Sequence, residues 1–219
     1  MDKCFEEKKL TAKIETKYEM LVRMERKIRS DGFEFVAGID EAGRGPLAGP
    51  VVAAACILPM EFEIPGLNDS KKLSEKKRNT LLKMIMDQAV AYSLGICSNQ
   101  EIDFLNILQA TRLAMKRAVE DLVVSPDYLL IDGKDKIDVP VSQKVVIGGD
   151  GLCACIAAAS ILAKVTRDEI MYDMHEQYPE YCFDKHKGYG TKIHMEALKK
   201  FGPCPIHRRS FAPIKGMIS

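Results

Sequence analysis

Hydrophobic and polar residues alternate with helical periodicity in several separate blocks of the chain. The first block, residues 10–28, sets a few apolar residues among many charged ones, which predicts a solvated helix with one narrow apolar stripe. Asn106 is placed to cap the most strongly periodic block, and Ser98 and Glu101 are spaced as a capping box. The predicted helices are 10–28, 74–87, 106–122, 152–175 and 191–201.

Short runs of apolar residues between turn formers predict strands. The run at 50–58 is almost continuously small and apolar, as in a strand that is covered on both faces. The predicted strands are 33–40, 50–58, 89–96, 128–132 and 144–147. Strands with interspersed helices, and too few parallel crossovers for a doubly wound sheet, predict an α/β fold with a mixed five-stranded sheet flanked by helices.

The length and composition are those of one ordinary globular core. A chain of 219 residues is too short for two full-sized domains, and 47% hydrophobic with 29% charged residues excludes a disordered chain. The Ser-Asp-Gly break at 30–32 separates an N-terminal helical appendage, residues 1–33, from a main domain at 34–219 that ends in a helical segment from about 176. No apolar run approaches the ~20 residues of a membrane span, and the acidic N-terminus lacks a secretory signal, so a cytoplasmic protein is expected.

The seven cysteines are odd in number and follow no repeating frame, which favours reduced thiols over a disulfide scaffold. One spacing offers an alternative. Cys182 and His186, followed by Cys204 and His207, have the types and intervals of four zinc ligands. Short Cys/His coincidences are common in a chain with this many cysteines, so packing residues are the favoured interpretation.

Charge is distributed unevenly although the net charge is only +1. Residues 1–30 carry a net +3 and residues 184–219 a net +6, while the segment between them carries −8. An acidic middle between basic ends suits a protein that holds cations centrally and binds polyanions at its periphery. Solvated charge on surface helices explains such an asymmetry equally well, so charge alone does not decide the function.

Acidic residues stand at or just beyond the ends of three predicted strands. They are Asp40 with Glu41, Asp132, and Asp150, each next to glycines. If they converge, each pair of like charges about 4 Å apart costs about 4 kcal/mol at an effective dielectric near 20, so the cluster requires protons or divalent cations. Oxygen ligands favour Mg²⁺ or Mn²⁺, and two such ions can activate water and stabilise the leaving oxygen of a phosphodiester. For a single Asp, capping the next helix is the better interpretation, but two adjacent acids cannot both be caps.

Basic and aromatic residues near glycines suggest contacts with a phosphate backbone. Gly43 and Gly45 bracket Arg44, which allows close backbone approach and a two-donor phosphate contact, although a lone G-x-G is as often a tight turn. Tyr189 lies between two glycines, where its ring can stack on a sugar or base or simply occupy a surface turn. Further candidate phosphate contacts are Lys71, Lys72, Lys185, Lys187, His207, Arg208 and Arg209.

Seven ordered segments of the chain resemble the ribonuclease HII family. They are VAGIDEAGRGPLAGP at 36–50, NDSKKLS at 68–74, EIDFLNIL at 101–108, LLIDGK at 129–134, AAASILAKVTRD at 157–168, HKGYGT at 186–191 and HRRSF at 207–211. Their order and intervals are those of the family, and they cover nearly everything from residue 34 to 213. The resemblance implies a ribonuclease H-like catalytic domain whose helical C-terminal part closes over the substrate.

The resemblance also implies an activity and a metal site. The activity is hydrolysis of the RNA strand of RNA–DNA hybrids and incision 5′ to ribonucleotides embedded in duplex DNA, leaving 3′-hydroxyl and 5′-phosphate ends. Two Mg²⁺ or Mn²⁺ ions would be the cofactors, RNA–DNA hybrid and ribonucleotide-containing DNA the partners, and the protein a monomer that acts away from membranes. Asp40, Glu41 and Asp132 match the metal-binding acids, and Asp150 matches the fourth catalytic acid.

By the same resemblance, the loop Gly43-Arg44-Gly45 recognises the ribose 2′-hydroxyl with its neighbouring phosphate, and Tyr189 packs against the adjacent sugar. Asp168 is expected to be structural, paired with a basic neighbour. Gly148 departs from the family pattern, which has lysine there, so one basic contact near Asp150 is in doubt. Residues 1–33 lie outside the resemblance and are too short for the N-terminal domain of ribonuclease HIII.

Two other classes of protein share parts of this pattern. Actin-like ATPases also begin with a strand, an Asp and a Gly-rich hairpin, but they need two such domains around a nucleotide, and this chain has room for one. A non-catalytic nucleic-acid-binding relative would have lost one of the acids, and all four are present. A phosphodiester hydrolase is therefore the favoured prediction.

Overall fold

The predicted mixed sheet is present in a computed structural model that describes residues 17–217. Its strands are β1 (Val36–Ala42), β2 (Val51–Ile57), β3 (Ala91–Cys97), β4 (Tyr128–Asp132) and β5 (Ser142–Val146). The strand order is β3-β2-β1-β4-β5. Strand β2 is antiparallel to both of its neighbours, β1 and β3, whereas β4 and β5 are parallel to β1. The sequence therefore located all five strands, with ends that differ by a few residues.

Helices join and flank these strands. They are α1 (Lys17–Ser30), α2 (Glu75–Gln88), α3 (Asn99–Leu105), α4 (Ile107–Glu120), α5 (Ala154–Gln177), α6 (Phe183–His186) and α7 (Lys192–Phe201). The Ser98–Glu101 capping box and the Asn106 cap are both confirmed. Residues 10–16 of the first predicted helix lie outside the described residues. No helix that the structure describes is long and apolar enough to cross a membrane.

The sheet lies between α5 on one face and α4 on the other. Alanines along α5 let it approach the sheet closely, and at Gly38 of β1 an added Cβ would lie only 2.1 Å from the backbone carbon of Cys155. Gly95 of β3 is equally crowded by α4 on the opposite face, where an added Cβ would lie 1.9 Å from the Ala114 oxygen. These contacts fix the two helices against the strands that carry the acids.

Helix α1 is more deeply integrated than its charged sequence predicts. Leu21, Val22 and Ile28 are buried against the body of the protein. Glu25 is also buried, and its carboxylate accepts a hydrogen bond of 2.8 Å from the Cys155 N–H in the first turn of α5. Burial raises the pKa of Glu25. The domain boundary at residue 33 stays a prediction, but the described part of this segment packs on α5.

The C-terminal segment contains three buried histidines, and its described Cys and His side chains do not converge as a set of zinc ligands. Within residues 17–217, no group of three or more Cys, His, Asp or Glu side chains has the geometry of a metal site, and all six cysteines in that range are free. His207 Nδ1 accepts from the Cys204 N–H at 2.9 Å, so its Nε2 donates to His194 Nε2 at 2.9 Å. His194 Nδ1 then donates to the Tyr189 carbonyl at 2.9 Å. This relay fixes both rings as neutral tautomers and connects Cys204 to the Tyr189 loop.

The relay predicts that acid destabilises the fold. Burial lowers the pKa of His194 and His207 to about 4 from an ordinary value near 6.5. Between these values the unfolded chain binds protons that the folded state does not, so stability is complete above pH 6.5 and is lost as the pH falls toward 4. The expected loss is about 1.4 kcal/mol per pH unit for each histidine. Urea unfolding at several pH values measures it.

A matched pair of variants isolates this effect. His207→Gln should flatten the dependence of unfolding free energy on pH between 6.5 and 4, whereas Gly216→Ala, which changes no titratable group and has nothing within 4 Å of its added Cβ, should leave it unchanged. Equal slopes in the wild type and His207→Gln would contradict the assignment of neutral buried rings.

Candidate active site

The ends of two neighbouring parallel strands bring three acids together. Ile39 of β1 is in register with Ile131 of β4, and the next residue on each strand is an aspartate, Asp40 and Asp132. Glu41 follows Asp40 directly in β1. Because parallel strands end at the same edge of the sheet, the three carboxylates share one edge, as the sequence predicted.

Asp150 reaches the same place from a short 3-10 turn between β5 and α5. The Gly149 N–H donates to Asp132 Oδ1 at 2.7 Å, which anchors the turn beside β4. A Cβ on Gly149 would lie 2.5 Å from the Ile156 side-chain methyl, which would have to move aside to admit it. Gly148 has φ +68°, a left-handed conformation that favours glycine, so the residue present suits this turn.

The carboxylates are buried enough to raise one another's pKa. Asp40 is 2% exposed, and burial, then the charges of Glu41 and Asp132, hold its pKa well above its ordinary value. Asp40 Oδ1 accepts a bond of 2.7 Å from the Glu41 N–H, but its buried Oδ2 has no hydrogen-bond partner in the described part of the chain. Burial also raises the pKa of Glu41, although Arg44 offsets part of this. The cluster is therefore short of positive charge.

Asp69 and Lys71 lie beside Asp150, and the contact of Asp69 with the acidic cluster was not predicted from the sequence. Burial and the neighbouring Asp69 raise the pKa of Asp150, whose side chain is hydrogen-bonded to Asp69. Burial acts to raise the pKa of Asp69, but hydrogen bonds from the Lys71 N–H and from Asp150 outweigh burial, so its pKa is lowered. A negative charge is therefore less favourable on Asp150 than on Asp69. The Lys71 ammonium, 3.8 Å from Asp150 Oδ2, supplies part of the missing positive charge.

The chemistry of this donor set suits a hard divalent ion. The donors are carboxylate oxygens, and the buried Asp40 Oδ2 is left without a partner by the described residues. Among residues 17–217 no three of these side chains are close enough together to hold a metal ion as they stand. The Lys71 ammonium partly balances their negative charge.

Asp168 lies apart from this cluster. It is paired with Lys164 at 2.6 Å and with Arg78 at 3.7 Å, which agrees with the predicted structural role.

A loop with exposed backbone lies directly beside the acids. Gly43 has φ +97°, and Arg44 bonds Glu41 at 3.2 Å. Gly45 is exposed and faces Tyr189: a Cβ added there would lie 3.6 Å from the Tyr189 ring. The Leu47 N–H donates to the Gly188 carbonyl at 2.8 Å, which ties the two loops together. The exposed residues Arg44, Gly45 and Tyr189 thus lie on the surface beside the buried acids.

Two of the predicted phosphate contacts are wrong. Arg208 is fully buried and donates to backbone carbonyls, and His207 is 1% exposed and occupied by the relay. Lys187 is half-buried, with its ammonium over the Tyr172 ring. The side chains still available at the surface are Lys71, Lys72, Lys185 and Arg209.

A mixed sheet of this order, with carboxylates at the ends of its central parallel strands and a ligand-accessible loop beside them, defines a ribonuclease H-like nuclease. The match extends to the sequence: residues 37–214 match the Ribonuclease HII family. The chain belongs to the ribonuclease HII family. Members of this family are metal-dependent endoribonucleases that cut RNA in RNA–DNA hybrids, so the chain is a hydrolase of this class.

Similar proteins support this membership along most of the chain. A Ribonuclease HII of Desulfitobacterium hafniense is 58% identical over 90% of this chain and 76% of its own length. A Ribonuclease HII of Bacillus cereus is 51% identical over 100% of this chain and 84% of its own. The ribonuclease H2 structure from Pyrococcus horikoshii OT3 matches with a TM-score of 0.70 and 26% identity, covering 84% of this chain and 96% of that one.

A more distant structure shares the fold alone. Bst-RNase HIII, solved in complex with Mn²⁺, has a TM-score of 0.61 and 17% identity over 84% of this chain and 69% of its own. The predicted ribonuclease H-like fold is thereby confirmed, and the resemblance identified from the seven segments is confirmed at the level of the family.

Proposed function

We propose that this chain incises duplex DNA on the 5′ side of embedded ribonucleotides as well as cutting RNA–DNA hybrids, and that it leaves 3′-hydroxyl and 5′-phosphate ends. The observation that carries the proposal is the direct contact between the two halves of the site: Arg44 of the loop bonds Glu41 of the acidic cluster at 3.2 Å. A nucleotide held on the loop therefore has its phosphodiester next to the carboxylates.

Asp40, Glu41 and Asp132 are proposed to hold divalent ions, with Asp150 as the fourth acid. Two Mg²⁺ or Mn²⁺ ions would supply Lewis-acid activation of water and neutralise charge at the phosphodiester. The unpartnered, buried Asp40 Oδ2 and its raised pKa support this assignment, since a carboxylate in such a place requires a cation or a proton. Lys71 balances the acids before loading, and its exposed ammonium is free to turn to a substrate phosphate with Lys72.

The Gly43–Gly45 loop is proposed to read the ribose, and Tyr189 to pack on the adjacent sugar. Gly45 and Tyr189 are both exposed and face each other across the surface that leads to the acids. Arg44 is 49% exposed at its side chain and keeps donors for a phosphate while it bonds Glu41. Monomeric state and cytoplasmic location stay predictions.

Four substrates test this proposal against its rivals. The enzyme should cut a duplex carrying one ribonucleotide and an RNA–DNA hybrid, and leave an all-DNA duplex intact. ATP hydrolysis without a polynucleotide would favour the actin-like alternative. Binding of the ribonucleotide duplex without any cutting would favour the non-catalytic alternative. Extension of the product by a DNA polymerase identifies a 3′-hydroxyl end.

Tyr189→Ala is expected to lower kcat/KM on the single-ribonucleotide duplex by about tenfold or more, because a stacked aromatic ring contributes about 1–3 kcal/mol. Tyr189→Phe keeps the ring and should keep most of the activity. Steady-state kinetics of the two variants measure the difference. If Tyr189→Phe lost as much activity as Tyr189→Ala, the hydroxyl group rather than ring packing would be responsible, and this assignment would fail.

A further inference from the structure

Arg208 is a fully buried cation whose partners are backbone carbonyl oxygens. Its guanidinium donates to the carbonyls of Gly49 at 3.0 Å, Arg44 at 2.9 Å and Pro50 at 3.1 Å, and also to the carbonyl of Gly43. Among the described residues no carboxylate lies within ion-pair distance of it, and burial lowers its pKa to about 9, although the charge of Asp103 acts in the opposite direction. Burying a charge without an ionic partner costs free energy, so the four carbonyl groups must stay directed at the guanidinium.

Arg167 of α5 binds backbone carbonyls in the same way, and Arg208 and Arg167 together are called the arginine clamp. It is 1% exposed and donates to the carbonyls of Ala48 at 3.2 Å, Pro50 at 3.1 Å and Lys187 at 3.1 Å. Both arginines thus share the Pro50 carbonyl, and Arg167 also reaches the segment that leads to Tyr189. The two guanidinium groups connect the loop that follows β1, the Tyr189 loop and α5.

The arginine clamp determines the orientation of two peptide groups in the Gly43–Gly45 loop. In a trans peptide the C=O and the following N–H point in opposite directions. Since the carbonyls of Gly43 and Arg44 point inward to Arg208, the N–H groups of Arg44 and Gly45 point away from it. Within residues 17–217, neither of these two N–H groups donates to a protein acceptor. Two consecutive free amides form a concave donor site for an anion or hydroxyl oxygen.

We propose that Arg208 and Arg167 are positioning residues for ribonucleotide recognition: they hold the Arg44 and Gly45 amides toward the substrate and align the loop with Tyr189. This inference rests on the proposed function, because it assumes that the loop contacts the ribose and its phosphate. The two buried charges also lie behind the amides and add to their attraction for a phosphate. Neither arginine touches the substrate.

The test is the binding preference for a ribonucleotide, measured without cleavage. Binding of a duplex with one ribonucleotide and of the same all-DNA duplex is compared in EDTA by fluorescence anisotropy. Arg208→Lys keeps the charge but cannot reach four carbonyls, so the ratio of the two Kd values should fall about tenfold, the equivalent of one or two hydrogen bonds. The Kd for Mn²⁺, measured by calorimetry, should be unchanged.

The neighbouring Arg209 provides the matched control. It is exposed, so Arg209→Met removes a charge that is available to phosphate and should weaken binding of both duplexes alike, without changing their ratio. If Arg208→Lys behaved in the same way, or lost Mn²⁺ affinity in parallel, its role would be general packing and the inference would be overturned. If Arg208→Lys does not fold, Arg167→Lys takes the same test with the same expected fall. A wild-type protein with no preference between the duplexes would instead contradict the proposed function.

Discussion

Asp40→Asn is expected to lower the rate of cleavage by about 10³-fold or more while changing the Kd for an RNA–DNA hybrid by only a few fold. The substitution keeps the shape of the side chain, and the Asn oxygen can still accept from the Glu41 N–H. It removes the charge that the proposed ions require, and such ions contribute several kcal/mol to transition-state stabilisation, with each 1.36 kcal/mol worth tenfold in rate. Single-turnover cleavage and hybrid binding in EDTA give the two quantities.

Thermal unfolding provides a second measurement on the same variant. In the wild type, Mn²⁺ should raise the Tm, because the ion binds only the folded protein. In Asp40→Asn this shift should be lost, while the metal-free protein should be at least as stable as the wild type because a buried charge among like charges is gone.

Asp168→Asn is the matched control, since Asp168 is also a buried aspartate but lies outside the cluster. Removing its pairing with Lys164 and Arg78 should lower the Tm but leave the cleavage rate at 25 °C and the shift with Mn²⁺ close to those of the wild type. The assignment of Asp40 would be wrong if Asp40→Asn kept full activity, or if both variants lost activity to the same extent.

Gly38→Ala is expected to destabilise the protein by about 3 kcal/mol or more, at the upper end of the overpacking range. The added Cβ would lie 2.1 Å from the Cys155 carbon and 2.3 Å from the Ile156 nitrogen, and these backbone atoms of α5 cannot move aside as a side chain can. Asp40 lies two residues after Gly38 and therefore points to the same face of β1. The separation of α5 from β1 should therefore disturb the acidic cluster as well.

For a domain of this size a loss of 3 kcal/mol lowers the Tm by about 6–12 °C. Gly216→Ala is the control, because nothing lies within 4 Å of its added Cβ and its φ is not positive; its Tm should stay within about 2 °C of the wild type. Calorimetry of the three proteins measures the differences. A Gly38→Ala protein with an unchanged Tm would show that α5 does not pack on β1 as described.

The elements that carry the acids were predictable because their signals are local. Apolar runs that end in an acid locate β1 and β4, and parallel pairing then places Asp40 beside Asp132 without further information. The caps at Ser98 and Asn106 were found for the same reason, since a cap acts within one helical turn. The ribonucleotide, however, and the choice of Asp150 over Asp168 as the fourth acid, came chiefly from the family resemblance.

The features that were missed depend on contacts between distant parts of the chain. Arg208 and Arg209 are adjacent and chemically identical, but only Arg208 is enclosed by carbonyls from the segment after β1, more than 150 residues earlier. Glu25 similarly resembles any charged residue of a solvated helix, yet it is buried against the first turn of α5. Asp69 precedes two lysines in the sequence, so its partnership with Asp150 was hidden by the more obvious basic pair.

Metal-dependent cutting at a ribonucleotide is measured by single-turnover incision of a duplex carrying one ribonucleotide, with Mg²⁺, with Mn²⁺, and with EDTA. With either ion we expect one product, cut on the 5′ side of the ribonucleotide. In EDTA we expect no product, and activity should return when the ion is restored in excess. Incision that continues in EDTA, or no incision at the 5′ side with either ion, would contradict the proposed function.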